Sequence, residues 1–206
     1  MSNVALKTHQ KQSYPTPEEV NRNRLLDACV EAVGQHGLRD LKMSHVIEGA
    51  GLSRRTAYKY FKNKSTMVDA AFLREGARLF EGARQEVSAC TSIEDIFVYS
   101  FLYIYQHLPR HPLMRELIHH NRELTENLNV GKNMMDALEG LDLKALFDDY
   151  PQISRDIYAL SEYWVQVILS FILLRSGENK SLKEVEAYVR KRFVPGLCLG
   201  DYNLSK

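Results

Sequence analysis

Ser-His-Val-Ile-Glu-Gly-Ala-Gly-Leu-Ser-Arg-Arg-Thr-Ala-Tyr-Lys-Tyr-Phe-Lys-Asn-Lys, residues 44–64, reads as a short helix, a glycine turn and a second helix that is basic and aromatic. The pattern is that of a helix-turn-helix, an arrangement that places its second helix in the major groove of a duplex. Ser53 can accept from the free N–H groups of a first turn, so the second helix is predicted to begin at Arg54. Ala57 and Phe61 lie four residues apart and share one face, which leaves Arg54, Arg55, Tyr58 and Lys59 on the others. Between Ser53 and Lys64 stand five basic residues, Arg54, Arg55, Lys59, Lys62 and Lys64, and no acidic one, as an element lying against phosphates requires.

The charge of the whole chain supports that reading once it is divided. The net charge over 206 residues is only +1. Residues 1–64 hold 11 Lys and Arg against 6 Asp and Glu, a net +5, and residues 65–206 hold the other 16 against 20, a net −4. The basic end carries the helix-turn-helix. With 45% hydrophobic and 26% charged residues the composition is that of a soluble globular chain, long enough for one or two domains. The three cysteines, Cys29, Cys90 and Cys198, are odd in number and far apart, which fits a reducing compartment, and Cys29 falls on an apolar helix face. Residues 1–17 are polar, contain two prolines and lack the apolar stretch of a secretory signal, so they read as a flexible N-terminal arm. The most apolar run, 164–174, contains Gln166 and Ser170 and is too short to span a bilayer, so a cytoplasmic protein without a membrane partner is expected.

An all-α fold follows from the periodicity. Leu26, Cys29, Val30 and Val33 form one stripe of a first helix, with Gly34 and Gly37 marking where it frays and stops. Val46, Ile47 and Ala50 can pack a second helix back on it, and Gly51 makes the turn. Asn63 or Ser65 can cap a fourth helix running to about Cys90. Further helices are predicted over 93–108, from Pro112 to about 128, over 134–147, from Pro151 through Phe171, and from Leu182 to Phe193 before Pro195 and Gly196. This gives an N-terminal three-helix helix-turn-helix head, 18–66, and a C-terminal helical bundle domain, 67–206.

Residues 22 to about 73 resemble the N-terminal domain of the TetR family of bacterial transcriptional regulators. Ala50-Gly51-Leu52-Ser53, Thr56, Tyr58, Tyr60-Phe61 and Lys64 fall at the family's spacing. The resemblance implies homodimers on palindromic double-stranded DNA operators, and a C-terminal domain for dimerisation and binding of a small effector. It implies that Tyr58 and Tyr60 lie along the DNA backbone, that Lys64 grips a phosphate beside a helix N-terminus, and that Thr56 meets a phosphate or a thymine methyl. Arg54, Arg55 and Lys59 are the candidates for base edges, arginine to guanine being the commonest such contact. Two positions depart from the family pattern. Lys42 stands where a Thr or Ser caps the second helix, so Ser44 is expected to take the cap, with Lys42, Met43 or Ser44 as the residue touching DNA. Ile47 stands where a small residue is common.

Tyr99, Tyr103, His119 and Trp164 are the candidates for an effector pocket taking an apolar or aromatic ligand, against a simpler role in packing. His107, His111, His119 and His120 lack the carboxylate or cysteine spacing of a metal site, and Asp142, Asp148 and Asp149 read as helix-end acids, so neither a metal nor a cofactor is expected. Nothing resembles an activated nucleophile, a phosphate loop or a paired general acid and base, so the chain reads as a regulator, a repressor in most such families, rather than an enzyme. The competing reading keeps the DNA-binding head and makes the C-terminal domain a docking surface for a protein partner.

Overall fold

The computed structural model describes residues 16–119, 150–153, 155–174 and 180–201, and among these every regular element is helical. Eight α-helices are α1 (Pro17–Asp40), α2 (Met43–Ala50), α3 (Arg54–Tyr60), α4 (Lys64–Glu86), α5 (Ile93–His107), α6 (Pro112–His119), α7 (Ile157–Leu173) and α8 (Leu182–Arg192). The arm over 1–15, the 134–147 helix, His120, Asp142, Asp148 and Asp149 lie outside the described residues.

Each helix of the head starts and stops on a local signal. Thr16 opens α1 with a reciprocal capping box: Glu19 N–H donates to Thr16 Oγ1 at 3.2 Å, and Thr16 N–H donates to the Glu19 carboxylate at 2.7 Å. Pro17 follows at the first helical position. Thr16 and Pro17, read from sequence as arm, therefore cap and open the first helix. Gly34 stays helical, and the break comes at Gly37, whose φ of 72° lies in the left-handed region. The Leu38 N–H beyond the break is taken by Glu116 Oε2 of α6 at 3.1 Å. Gly51 ends α2 at φ 62°, ψ 35° and returns its N–H to Glu48 and Ile47.

The expected cap at Ser44 is not formed. α2 begins at Met43, and Ser44 lies exposed in its first turn. Burial of Leu41, Val46 and Ile47 sets where the helix enters, and the Lys42 N–H is met instead by His45 Nδ1 at 3.4 Å. Ile47 is accommodated in the head core at 9% exposure.

α4 joins head to body. Asn63 caps it, accepting from Thr66 N–H at 2.9 Å, and its 23 residues rise about 34 Å. Met67, Val68, Ala71 and Phe72 are buried near its start, and Ala83 is buried again about three turns beyond Phe72. α4 ends at Glu86, a turn before the expected Cys90, because Val87 turns inward and is buried. In the body, Phe101 of α5 sits among Trp164 and Phe171 of α7 and Phe193, with ring centroids 5.5 to 5.9 Å away. Edge-on packing at this spacing is favourable for aromatic rings. Ser181 caps α8, and Arg190 ties that helix to Glu94 at 3.1 Å and Asp95 at 2.7 Å in the first turn of α5. No described helix is long and apolar enough to cross a membrane.

Candidate nucleic-acid interface

The candidate recognition element, α3, is a two-turn helix held on one side and exposed on the other. Ser53 Oγ accepts from Thr56 N–H at 3.1 Å and so fixes the first turn of α3. Ala57, 1% exposed, and Phe61, 5% exposed, hold the helix to the head, and the Arg22 guanidinium lies 5.5 Å from the Phe61 ring centre. Arg54, Arg55, Tyr58 and Lys59 are all exposed on the opposite side.

The other residues singled out in the sequence have partners already. Thr56 is half-buried with its hydroxyl 2.8 Å from Ser53 Oγ, which leaves its methyl as the part free to meet a ligand. Tyr60 is half-buried beneath the Lys59 ammonium, 5.7 Å from the ring centre. Lys64 Nζ reaches back to the carbonyls of Leu38 at 3.3 Å and Arg39 at 3.5 Å, completing the C-terminal end of α1. Its ammonium therefore sits at the joint of α1, α2 and α4, at the N-terminus of a 23-residue helix whose dipole favours an anion.

Sequence reasoning missed Glu18. The first turn of α1 and α3 enclose a groove of about 560 Å³ lined by Pro17, Glu18, Asn21, Arg55, Thr56, Lys59 and Tyr60. Across it Glu18 Oε1 meets Lys59 Nζ at 2.6 Å. The hydrogen bond and the charge of Lys59 lower the Glu18 carboxyl from its ordinary range, and the same contacts raise Lys59. The signal is present in Thr16-Pro17-Glu18-Glu19, a capping box that places Glu18 in the first turn of α1. A carboxylate holding Lys59 competes with any phosphate that approaches. Glu18→Gln is therefore expected to raise duplex affinity severalfold at most, by an amount that fades with added salt, because both side chains are exposed. Fluorescence anisotropy over a salt series reads this, and an unchanged affinity at low salt would refute the competition.

The described effector candidates, Tyr99, Tyr103 and Trp164, meet different neighbours. Trp164 is 4% exposed, wedged against Phe97 and Phe101, with its indole N–H donated to Ser100 Oγ at 3.3 Å. Tyr99 lies under Arg190 of α8, 5.6 Å from ring centre to guanidinium. Tyr103 faces the other way, its phenol against the backbone of α4 at Gly82 and its ring stacked on His107. Tyr103 lines a cleft of about 370 Å³ among the described residues of α4, α5 and α6. His119 closes α6, and its side chain lies outside the described residues.

Cys29 is core: burial pushes its thiol up to about 12, the charge of Arg74 opposing only in part.

Residues 25–71 match the family described as "Bacterial regulatory proteins, tetR family". An uncharacterised HTH-type transcriptional regulator of Mycobacterium tuberculosis is 32% identical over 72 residues, covering 34% of this chain and 30% of the relative. The chain thus spans under a third of the length of the curated relatives it matches. Among solved structures, a TetR-family transcriptional regulator from Mesorhizobium loti aligns with a TM-score of 0.61 at 17% identity, covering 91% of this chain and 99% of that one. A TetR transcriptional regulator from Rhodococcus sp. RHA1 gives 0.57 at 18%, covering 90% and 97%. The regulator FadR from Bacillus subtilis, solved in complex with stearoyl-CoA, gives 0.56 at 18%, covering 84% and 98%. At these identities the likeness is one of fold, and it runs beyond the head through most of the body. It is the head, residues 25–71, that carries the sequence pattern of the TetR family of bacterial regulatory proteins.

Proposed function

We propose that the chain is a DNA-binding transcriptional regulator that grips a palindromic operator as a homodimer and releases it when a small effector enters the body. The observation that carries this is α3 itself, pinned through Ala57 and Phe61 with Arg54, Arg55 and Tyr58 exposed and Lys59 exposed in its pair with Glu18. Two such helices presented about 34 Å apart would enter successive major grooves. Ser44, Thr56, Tyr60 and Lys64 would position the backbone, and Arg54 and Arg55 would read base edges.

The pairing surface is proposed on α7 and α8. Trp164, Ile168, Phe171 and Ile172 are spent inside the chain, so the partner would meet the half-buried Val165 and Leu169 and the exposed Tyr158 and Leu174, with Leu182 and Tyr188 of α8. Release by an effector is supported by analogy with the stearoyl-CoA complex of FadR, and an effector shifts the balance only by its differential affinity for the two states.

Mapping where the protein sits on its own chromosome, followed by titration of the recovered duplex, tests the proposal. Arg54→Ala is expected to cost about 1–3 kcal/mol on the operator and to relax preference at one base position. Lys64→Ala is expected to weaken all duplexes alike and to lower the salt slope by about 1. Both variants holding full affinity would place the interface elsewhere. Sedimentation of the free protein as a monomer at micromolar concentration would remove the dimer.

A further inference from the structure

The cleft between α4, α5 and α6 has a charge balance that specifies what it can hold. Leu79, Tyr103 and Met114 form its apolar wall, and Arg78, Arg110 and His111 its polar rim. Glu75 is the carboxylate at its edge, and both oxygens are occupied. Oε1 accepts from Arg74 Nε at 2.7 Å and from Arg78 at 2.9 Å, and Oε2 lies 3.2 Å from His111 Nε2. A carboxylate only accepts, so His111 Nε2 is the donor of this pair. Arg74 and Arg78 also face Asp27 of α1, at 2.8 and 3.9 Å. Two arginines are thus balanced by two carboxylates, and Arg110, exposed and without an ion pair among the described residues, leaves one positive charge over. His111 Nδ1 is in addition buried with no hydrogen-bond partner among the described residues.

We propose that this cleft binds a small organic monoanion, a carboxylate on an aromatic or branched aliphatic body. The inference rests on the effector reading above and gives it a chemistry. The carboxylate meets Arg110 and Arg78, and the apolar body lies along Tyr103, Leu79 and Met114. Tyr103 is pre-positioned for this by its fit against Gly82 and its stacking on His107, with ring centroids 4.0 Å apart. At about 370 Å³ the space suits a ligand of one ring and a short substituent. A ligand carboxylate competes with Glu75 and Asp27 for Arg78, and Asp27 belongs to the head. Occupancy of the cleft therefore bears directly on how α4 holds α1.

The test uses the full chain with benzoate, salicylate and isovalerate, each against its amide at matched ionic strength. The acids are expected to raise the melting temperature and the amides to leave it unchanged, because only a ligand that prefers the folded state stabilises it. Arg110→Gln, on an exposed side chain, is expected to keep the ligand-free melting temperature and to weaken acid binding about tenfold, the loss of one charge-assisted contact. Equal shifts from acids and amides, full binding by Arg110→Gln, or no shift from any of the acids would overturn the assignment. Duplex binding measured without acid is read separately: its absence sinks the regulator reading and leaves the anion result standing. Acid that binds and lowers duplex affinity in the parent but not in Arg110→Gln supports both.

Discussion

Phe61→Ala is expected to cost about 3–5 kcal/mol of stability and to abolish duplex binding, whereas Tyr58→Ala should leave stability within about 0.5 kcal/mol and still weaken binding. The two residues are three apart around the same short helix, yet one is 5% exposed and the other 49%. With only 7 residues, α3 cannot persist unaided, since nucleating a helix costs more than two turns return. Its direction is set by Ala57 and Phe61, by the Ser53 cap, and by Arg22 lying over the Phe61 ring. Removing the ring leaves a cavity in a small head, and the cationic side chains lose the frame that aims them. Tyr58 has no such duty, so its loss subtracts a contact and nothing else. Urea denaturation followed by circular dichroism, paired with anisotropy on a labelled duplex, separates the two effects. Wild-type DNA binding by Phe61→Ala, or global unfolding of Tyr58→Ala, would contradict this division of α3.

What the sequence disclosed, and what it withheld, follows the range of the interactions involved. Ser53, Asn63 and Gly51 act on backbone groups within a turn of themselves, so the boundaries of α3, the start of α4 and the left-handed turn after α2 could be read directly. Gly34 misleads because a glycine need not end a helix: it stays helical, a methyl there would make only ordinary contact with Pro112 at 3.4 Å, and the break falls at Gly37. Ser44 looks like a cap, but burial of Leu41 fixes the entry of α2 two residues earlier, with Lys42 at the cap position. Thr16 and Glu19 form as local a signal as any, and were passed over because polar composition was taken to mean an arm. The body was least legible. Tyr99 and Tyr103 are four apart and share a helix face, yet one meets Arg190 of α8 and the other Gly82 of α4. Periodicity gives the face and says nothing about which neighbour covers each turn of it. The Glu18 to Lys59 pair and the Glu75 cluster join residues 41 and 36 positions apart, so only the fold reveals them.

Glu75→Ala is expected to cost about 3 kcal/mol at neutral pH, the low end of the usual penalty for removing one partner from a buried ionic cluster, because Arg74 and Arg78 keep Asp27. Glu75 is 7% exposed and Arg74 only 14%, so Arg74 cannot turn to water without disturbing the junction of α1 and α4. Burial by itself would raise the Glu75 carboxyl. Hydrogen bonds from His111 and Arg74 and the charges of Arg74 and Arg78 outweigh it and hold the group at about 2, below its ordinary 4.5. A carboxyl depressed in the folded state contributes stability above its unfolded pKa and loses it as pH falls toward the folded value. The contribution is on the order of 3 kcal/mol, complete above about pH 5 and gone near pH 2. Glu75→Gln keeps the shape and removes the charge, so the stability gap between parent and variant should be widest at neutral pH and close over that interval. Other carboxylates titrate there too, Glu81 and Glu184 among them, but they are common to both proteins and cancel in the difference. Urea midpoints of the two proteins from pH 7 to pH 2 provide the measurement. A gap that stays constant with pH would mean that Glu75 holds the junction by shape and hydrogen bonding alone, with no part played by its charge.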